Sequence, residues 1–348
     1  MQQSYKVTVI MSNYNQEKYI EQAIQSVLNQ KTNFPFLLII TDDFSTKDKS
    51  VEIIKKYESQ YPEKIKALYN QENGRYLNNI LRAKSITKTP FFCLLDADDY
   101  WTDMDYLQNA VDYLETHPEY VIYSRNVLCQ KEDGTEYLYI PNSVKDTDFT
   151  MENYLNQSIF TTQTTGTFFR NVIFKKGIPL IMQKAVGSIS ERSFEGDFSR
   201  YIMHLRYGKA RYESKPSGVY RILSNGIWSR LSDFEKNLIE AQSYLDYNEY
   251  FENKYCSFFI NKSFERLQKC LQSLKRTDKS TEFSDDIQKI FFQVLKKCYE
   301  NGLLKYQLKK AKKIKYKILI YIYIYIYTAI KNYLKNGISV IKILYLEK

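Results

Sequence analysis

Three carboxylates directly follow a short apolar segment in the first third of the chain. Asp96, Asp98 and Asp99 come after the run 91–95, FFCLL, which has the composition of a buried strand. In an open α/β sheet, ligands bind beyond the carboxyl ends of the strands. Crowded carboxylates need a compensating cation, and Mg²⁺ or Mn²⁺ suits oxygen ligands and bridges to phosphates. The cluster therefore predicts a divalent-metal site for a phosphate-bearing ligand; an acidic cap on the next helix is the alternative.

A second acidic pair, Asp42 and Asp43, follows another predicted strand at 36–41. If the two strands are neighbours in a parallel sheet, both acidic groups approach the same crevice. A carboxylate accepts hydrogen bonds from N–H and hydroxyl groups, so this pair could recognise a nucleotide base or ribose. In the alternative interpretation it is a loop pair, with Ser45 and Thr46 as local caps.

The chain has no glycine-rich phosphate loop near its start. Its first glycine is Gly74, so neither GxGxxG nor GxxxxGK[ST] follows the first strand. This excludes the dinucleotide-binding dehydrogenases and the P-loop NTPases as function classes.

Strands and helices alternate through the first hundred residues. Strands are predicted at 7–11, 36–41, 65–69 and 91–95, and helices at 17–30, 47–61 and 77–85. Short connections between them predict an α/β fold with a doubly wound, mainly parallel sheet. A further helix is predicted at 103–115, with Thr102 as its N-cap.

The character of the sequence changes near residue 230. We predict a catalytic domain at 1–230, a helical extension at 231–300 and a basic, apolar C-terminal tail at 301–348. The extension opens on Ser232 and Glu235, which have the spacing of a capping box.

The net charge of +10 belongs to the tail. Eleven Lys and only two Glu lie from residue 300 onward, and seven of these Lys precede the uncharged run 318–330. A basic segment beside an apolar one predicts attachment to an anionic membrane surface. The alternative is a segment that packs on the catalytic domain or in a dimer. Nucleic acid is not expected as a partner, because the uncharged run adds nothing to phosphate binding.

The five cysteines form neither a CxxC pair nor a zinc-binding pattern, which is typical of reduced thiols in the cytosol. The N-terminal residues run straight into a strand without the apolar core of a signal peptide. We therefore expect a cytoplasmic location, peripheral on the inner face of the membrane.

Several motifs together resemble family 2 glycosyltransferases, which have the GT-A fold. The matching segments are 7–15 with Tyr19-Ile20, 39–46, Asn73-Gly74 with Asn78-Asn79, 96–101, 195–198, and 219–221 followed by 225–229. Each segment is modest alone, but their order and spacing cover about residues 5–230.

The resemblance implies a role for individual positions. Asp42 would contact the nucleotide base, and Asp96 and Asp98 match the DxD motif that binds ribose and the metal diphosphate. Asp197 matches the acid that deprotonates the acceptor hydroxyl, although it could also be only the cap of the following helix. The other nucleotide-sugar-binding positions that the resemblance implies are Ser12, Tyr14, Asn73, Asn78, Arg221 and Trp228.

One position departs from the family pattern. Relatives often carry His shortly after the Tyr-Arg pair, where this chain has Leu223, which can neither ligate a metal nor contact a phosphate by charge. The resemblance still implies a metal-dependent, inverting transfer from a nucleotide-sugar, in particular a UDP-sugar, to a saccharide or lipid-linked saccharide of a bacterial surface glycan. Two alternatives remain: a sugar nucleotidyltransferase, which also uses paired Asp and metal, and a catalytically decayed, membrane-associated glycan-binding protein.

Overall fold

The computed structural model describes residues 4–156, 160–194, 196–224, 226, 228, 230–276, 290, 291 and 293–297. Contacts divide the chain between Arg230 and Leu231 into two compact units. The predicted membrane-associating tail, 301–348, lies outside the described residues.

The first unit is built on one mixed sheet. Its strands are β1 (Val7–Asn13), β2 (Phe36–Asp42), β3 (Ile65–Tyr69), β4 (Phe91–Leu94), β5 (Tyr100–Trp101), β6 (Tyr120–Lys131), β7 (Glu136–Leu138), β8 (Thr147–Phe149), β9 (Thr167–Arg170) and β10 (Lys209–Ile222). They lie in the order β3-β2-β1-β4-β9-β6-β10-β5, with β7 beside β6 and β8 beside β10.

The predicted α/β fold with a mainly parallel sheet is confirmed. β3, β2, β1 and β4 are all parallel, and β6 is parallel to β10. β9 runs antiparallel between β4 and β6, and the short strands β5, β7 and β8 are antiparallel to their neighbours. The second half of the sheet is therefore mixed, because its connections include hairpins and short loops as well as helices.

The helices of the first unit are α1 (Glu17–Leu28), α2 (Ser50–Gln60), α3 (Tyr76–Ile86), α4 (Tyr106–Thr116), α5 (Met151–Leu155), α6 (Leu180–Ala185) and α7 (Asp197–Leu205). The predicted N-cap Thr102 is wrong. Asp105 occupies the N-cap position of α4 without a side-chain cap. The first turn is instead tied by Gln30, whose Oε1 accepts a hydrogen bond from the backbone N–H of Leu107 at 3.0 Å.

Both faces of the sheet are covered. Val9 of β1 and Cys93 of β4 belong to one apolar core with residues of α1, α2 and α4. On the opposite face, Phe92 stacks on Phe169 with 5.3 Å between ring centroids. Strand side chains alternate between faces, so burial on both sides explains the nearly continuous apolar runs of β1, β2 and β4.

The second unit contains α8 (Asp233–Tyr250) and α9 (Cys256–Arg276), and residues 290, 291 and 293–297 are also helical. The predicted capping box is confirmed: Ser232 Oγ accepts from the Glu235 N–H, and the Glu235 carboxylate accepts from the Ser232 N–H. Among the described helices, none is long and apolar enough to cross a membrane.

Candidate active site

The carboxyl ends of three adjacent strands bring the predicted site residues to one edge of the sheet. Asn13, the last residue of β1, lies opposite Asp42, the last residue of β2. On the other side of β1, the Ala97 N–H donates to the Ser12 carbonyl oxygen at 3.2 Å. The loop that carries Asp96 therefore begins level with the end of β1, as expected for a ligand crevice in this type of sheet.

Asp96 is held by two hydroxyl groups. Ser12 Oγ donates to Asp96 Oδ1 at 3.0 Å, and the Tyr76 hydroxyl donates to the same oxygen at 3.2 Å. Burial raises the pKa of Asp96, while the positive charge of Arg200 opposes that increase. Ser12, a predicted nucleotide-sugar position, therefore contacts the acidic cluster directly.

The surroundings of Asp98 disfavour its charged form. Burial, followed by the negative charge of Asp96, raises the pKa of Asp98 to about 6. A carboxylate that is costly to ionise in this position gains from any cation that binds beside it.

The donor set around Asp96 and Asp98 fits a hard divalent ion that takes its other ligands from outside the protein. Among the described residues, no group of three or more His, Cys, Asp or Glu side chains could hold a metal ion. Mg²⁺ is commonly bound by one or two carboxylates together with waters and substrate phosphates. The two half-buried carboxylates match that mode of binding, and they do not form an all-protein cage.

Asp99 has a different place from its two neighbours. It is only 1% exposed, its Oδ2 accepts from Thr165 Oγ1 at 2.5 Å, and its Oδ1 accepts from the Arg221 backbone N–H at 2.9 Å. Burial and the charge of Asp98 raise the pKa of this carboxyl. Asp99 thereby links residues 96–99, which we call the acidic loop, to the turn before β9 and to the end of β10.

Arg221 links the acidic loop to α1. Its Nη1 donates to the Asp98 carbonyl oxygen and its Nη2 to Gln22 Oε1, both at 2.5 Å. The guanidinium lies 4.9 Å from the Tyr19 ring centroid and 4.6 Å from that of Tyr100. Because it is held from both sides, its positive charge stays beside the loop that carries Asp98.

Asp42 and Asp43 are both buried, but they have different partners. Asp42 Oδ1 accepts from Asn13 Nδ2 at 2.7 Å and from Ser45 Oγ at 2.6 Å, and its Oδ2 accepts from the Ser45 N–H at 3.0 Å. Asp43 Oδ1 accepts from the Gly74 N–H at 2.6 Å and from Asn70 Nδ2 at 3.0 Å. The predicted base contact at Asp42 stays a prediction. Both of its oxygens accept hydrogen bonds from Ser45, which the alternative interpretation named as a local cap.

The loop before α3 carries two further predicted positions. Asn73 is exposed, and its Oδ1 accepts from the Arg75 N–H at 3.3 Å. Asn78 is also exposed, and its Nδ2 lies 3.1 Å from the position that a Cβ on Gly74 would occupy. The loop is thus closely packed where it contacts Asp43.

Two predicted aromatic positions are open to solvent: Tyr14 is 45% and Trp228 40% exposed. Phe44, which directly follows Asp43, has a φ of +62° and is 43% exposed. A bulky residue in this backbone region is strained, and such strain is common near functional sites.

Asp197 begins α7 and is held by two residues that sequence reasoning missed. Arg200 Nη2 lies 2.7 Å from Asp197 Oδ1, and Thr164 Oγ1 donates to the same oxygen at 3.1 Å. Arg200 also donates to Thr164 Oγ1, and its side chain is 97% buried. The spacing of Asp197 and Arg200, three residues apart on a helix, could have indicated Arg200, whereas nothing in the sequence indicated Thr164.

Asp197 and the acidic loop lie within electrostatic reach of each other. The charge of Asp197 contributes to the raised pKa of Asp96. Burial raises the pKa of Tyr220, and the negative charges of four carboxylates raise it further: Asp99, Asp197, Asp96 and Asp98. Contacts connect the same groups: Ser12 and Arg221 contact the acidic loop, and the neighbouring residues Thr164 and Thr165 contact Asp197 and Asp99. An acid at the start of α7 could therefore accept a proton while the acidic loop serves a phosphate.

Known proteins resemble the chain in sequence. Residues 8–178 match the model of glycosyl transferase family 2. The uncharacterised protein Rv1520 of Mycobacterium tuberculosis is 28% identical over 222 residues, which are 64% of this chain and 60% of that protein. The chain thus spans about three fifths of the length of its mycobacterial relatives.

A transferase of Staphylococcus aureus is similar in both sequence and structure. The poly(ribitol-phosphate) β-N-acetylglucosaminyltransferase TarS is 27% identical over 173 residues, 49% of this chain and 28% of TarS. The crystal structure of its residues 1–349 with UDP-GlcNAc superimposes with a TM-score of 0.54 and 16% identity, over 85% of this chain and 81% of that one. That likeness shows the fold.

Proposed function

Because the chain belongs to glycosyltransferase family 2, as its motifs predicted, we propose that it transfers a sugar from a nucleotide-sugar to a saccharide acceptor with inversion at the anomeric carbon. The observation that carries the proposal is the position of Asp197, fixed by Arg200 and Thr164, within electrostatic reach of Asp96. A single-displacement transfer needs a base for the acceptor and positive charge at the departing diphosphate. Asp197 would be the base, and Asp96 would help to hold the divalent cation that supplies the charge.

The donor would lie along the edge formed by β1, β2 and the acidic loop. Ser12, Asp96, the loop of Asn73 and Asn78, and the exposed ring of Tyr14 border that edge. Asp42 orders the pocket through Asn13 and Ser45, and we assign the base or ribose contact to this region as a whole. A UDP-sugar is the proposed donor, supported by the likeness to TarS, whose crystals hold UDP-GlcNAc.

The chemical step is the same for any hexose donor. Asp197 accepts the proton of an acceptor hydroxyl as its oxygen forms a bond to the anomeric carbon, and the bond from that carbon to the diphosphate oxygen breaks. The nucleoside diphosphate leaves with the electron pair of the broken bond. Arg221, held beside Asp98, contributes positive charge next to the departing group. A divalent ion, Mg²⁺ or Mn²⁺, held by Asp96 and Asp98 when bound, would neutralise charge on the diphosphate.

The proposed acceptor is a saccharide or lipid-linked saccharide in the synthesis of a bacterial cell-surface glycan. The name of TarS, which places its product on poly(ribitol-phosphate), supports this class of acceptor. We also propose that the enzyme works on the inner face of the cytoplasmic membrane, with the basic tail 301–348 as its attachment.

Product analysis tests the reaction class. The protein is incubated with UDP-GlcNAc or another UDP-sugar, Mn²⁺ and a panel of saccharide acceptors, and the released phosphates are separated. A glycosyltransferase releases UDP, whereas a sugar nucleotidyltransferase forms or consumes pyrophosphate. Release of neither, with sugar binding retained, would favour the decayed glycan-binding protein.

The base assignment predicts the behaviour of Asp197→Asn. UDP binding is expected to remain near that of the native protein, while transfer falls by roughly 10²–10⁴-fold, the usual contribution of a positioned base. Asp233→Asn, which changes an acid in the first turn of α8, is the control and is expected to keep its activity. If Asp197→Asn loses UDP binding but keeps its turnover per bound donor, the role given to Asp197 is wrong.

A further inference from the structure

A short segment between the sheet and α7 exposes apolar and basic side chains together. Leu180 at the start of α6 is 64% exposed, the largest exposed fraction among the large apolar residues described, and Val186 after α6 is 39% exposed. Single exposed apolar residues are ordinary, but this exposed pair lies within seven residues of chain. We call residues 175–186 the α6 surface.

The exposure follows from how α6 is seated. Met182 and Ala185, three residues apart, are 1% and 3% exposed and anchor the helix to the unit. Leu180 and Lys184 lie four residues apart on the opposite, outward side, and both are exposed. The helix therefore already has its buried face, and Leu180 is directed away from it.

The charge around this surface has one sign. From residue 171 to residue 190 the chain contains three Lys and no Asp or Glu. Lys175 and Lys176, just before Gly177, are exposed, as is Lys184. Gly177 lies within this surface and Gly187 directly follows it, with φ values of +108° and +75°, and a Cβ at either position would meet no atom within 4 Å.

The surface is connected to the candidate active site through the chain that follows it. Glu191 accepts from the Gly187 N–H at 3.0 Å and pairs with Arg75 at 2.9 Å, and Arg75 directly precedes α3. Asp197 lies six residues after Glu191. A partner seated on the α6 surface would thus lie close along the chain to the base that receives the acceptor.

We propose that the α6 surface inserts Leu180 and Val186 into the headgroup region of an anionic lipid bilayer, with Lys175 and Lys176 contacting the lipid phosphates. Apolar side chains that enter the acyl boundary, flanked by lysines that meet anionic headgroups, are the features of interfacial attachment. An acidic protein partner would match the lysines but not the exposed Leu and Val, whereas a bilayer matches both. This attachment is distinct from the tail and does not depend on it.

The test places an environment-sensitive dye on the surface itself, so that binding by the tail cannot mask the result. In the full chain with Cys256 and Cys298 replaced by Ser, Leu180→Cys is labelled with a nitrobenzoxadiazole dye. Met104→Cys is the control, since Met104 is 48% exposed but lies between Asp103 and Asp105. Vesicles of equal parts phosphatidylglycerol and phosphatidylcholine are then added.

We expect the emission at position 180 to shift to shorter wavelength and gain intensity with these vesicles, and the emission at position 104 to stay constant. Pure phosphatidylcholine and high salt should both reduce the effect. Lys175→Glu together with Lys176→Glu should weaken the response at position 180 by more than about tenfold in lipid concentration, because each lysine near an anionic surface contributes about a factor of five.

Three results would overturn the proposal. Vesicles that pellet with the labelled chain while the dye at position 180 stays in water would show that attachment uses another part of the protein. A blue shift that depends on protein concentration without vesicles would show that a second copy of the chain covers the surface. Failure of the chain to bind anionic vesicles at all would also contradict it, and none of these results bears on sugar transfer measured with a soluble acceptor.

Discussion

At the scale of single residues, the acidic loop combines three carboxylates with three different environments. Asp96 receives hydroxyl hydrogen bonds, Asp99 is buried with donors on both oxygens, and Asp98 is left with a pKa raised to about 6. Without a bound cation, the ionised Asp98 carboxylate therefore lowers the free energy of unfolding. Residues that serve function commonly reduce stability in this way.

Asp98→Asn is expected to stabilise the metal-free protein at neutral pH by on the order of 1 kcal/mol. The folded-state pKa of Asp98 lies above its unfolded value, so ionisation disfavours the folded state. That cost is fully present above about pH 6 and vanishes below the unfolded pKa of about 4. Denaturant unfolding in EDTA at pH 7.5 and near pH 4 measures it. The gain should appear only at the higher pH, and transfer activity should be largely lost.

Asp105→Asn is the matched control for Asp98→Asn. Asp105 is exposed and forms no side-chain cap on α4, so its replacement should change the unfolding free energy by less than about 0.5 kcal/mol at either pH. A loss of stability in Asp98→Asn at pH 7.5 would contradict the electrostatic account of the loop.

Arg200 and Thr164 are positioning residues for Asp197, because both contact its carboxylate. Thr164→Val keeps the shape of the side chain but removes the donor to Asp197 Oδ1. We expect kcat to fall roughly tenfold or more with little change in KM for the nucleotide-sugar, since misplacement of a base affects the chemical step. Arg200→Lys should retain more activity than Arg200→Met, because a positive charge remains beside Asp197.

Thr162→Val separates positioning from packing. Thr162 is also buried, and its hydroxyl is hydrogen-bonded with Thr167 and Tyr201 and makes no described contact with Asp197. This variant should lose stability while the folded fraction keeps its kcat. Equal kcat losses in the Thr162 and Thr164 variants would mean that both act only through the fold.

At the scale of elements, the turn before β9 connects the acidic loop to the base. Thr164 contacts Asp197 and Thr165 contacts Asp99, so one turn of two neighbouring threonines holds both carboxylates. Gly166 permits this turn because its backbone lies against β6: a Cβ there would approach the Arg125 carbonyl oxygen to 2.3 Å.

Gly166→Ala is therefore expected to destabilise the protein by about 1–3 kcal/mol, the usual cost of overpacking, and to lower activity by moving both threonines. Thermal unfolding together with initial rates of transfer measures the two effects. Gly134→Asn is the control, since that turn position has a φ of +84° with open space around it, and Asn tolerates this backbone conformation. If Gly166→Ala is as stable as Gly134→Asn, the close approach to β6 is not a constraint on the turn.

At the scale of the whole molecule, charge is distributed unevenly along the chain. Eleven of its lysines come after residue 300, whereas the α6 surface contains three. A chain that ends at Asn301 is expected to stay folded by circular dichroism, because the sheet and the acidic loop are complete before that residue. Most of its pelleting with phosphatidylglycerol vesicles should be lost, since each lysine adds about 1 kcal/mol near such a surface.

The activity of the shortened chain on a soluble acceptor should remain near that of the full chain. The full chain should bind vesicles in a way that salt weakens. An insoluble or unfolded shortened chain would show that residues 302–348 belong to a core or a subunit interface, which is the alternative interpretation of the tail.

The sequence by itself determined the parallel part of the sheet and the place of the acidic loop. Apolar strands at regular spacing with helices between them have few topologies available, and the carboxyl ends of adjacent parallel strands must meet at one edge. That was enough to predict that Asp42 and Asp96 approach one edge of the sheet, and the order of the motifs was enough to predict the family. These are properties of local periodicity and chain order, which a linear sequence contains.

Only the tertiary structure decided which polar groups are engaged with one another. The chain brings Thr164 to Asp197 across 33 residues and Arg221 to Asp98 across 123, and no periodicity encodes such pairs. It also distinguished Asp98 from Asp99, which are neighbours in sequence, because burial and hydrogen-bond partners depend on what the rest of the fold places around each carboxylate. The tertiary structure also decided that β9 lies antiparallel between β4 and β6, since strand pairing is a contact between distant segments.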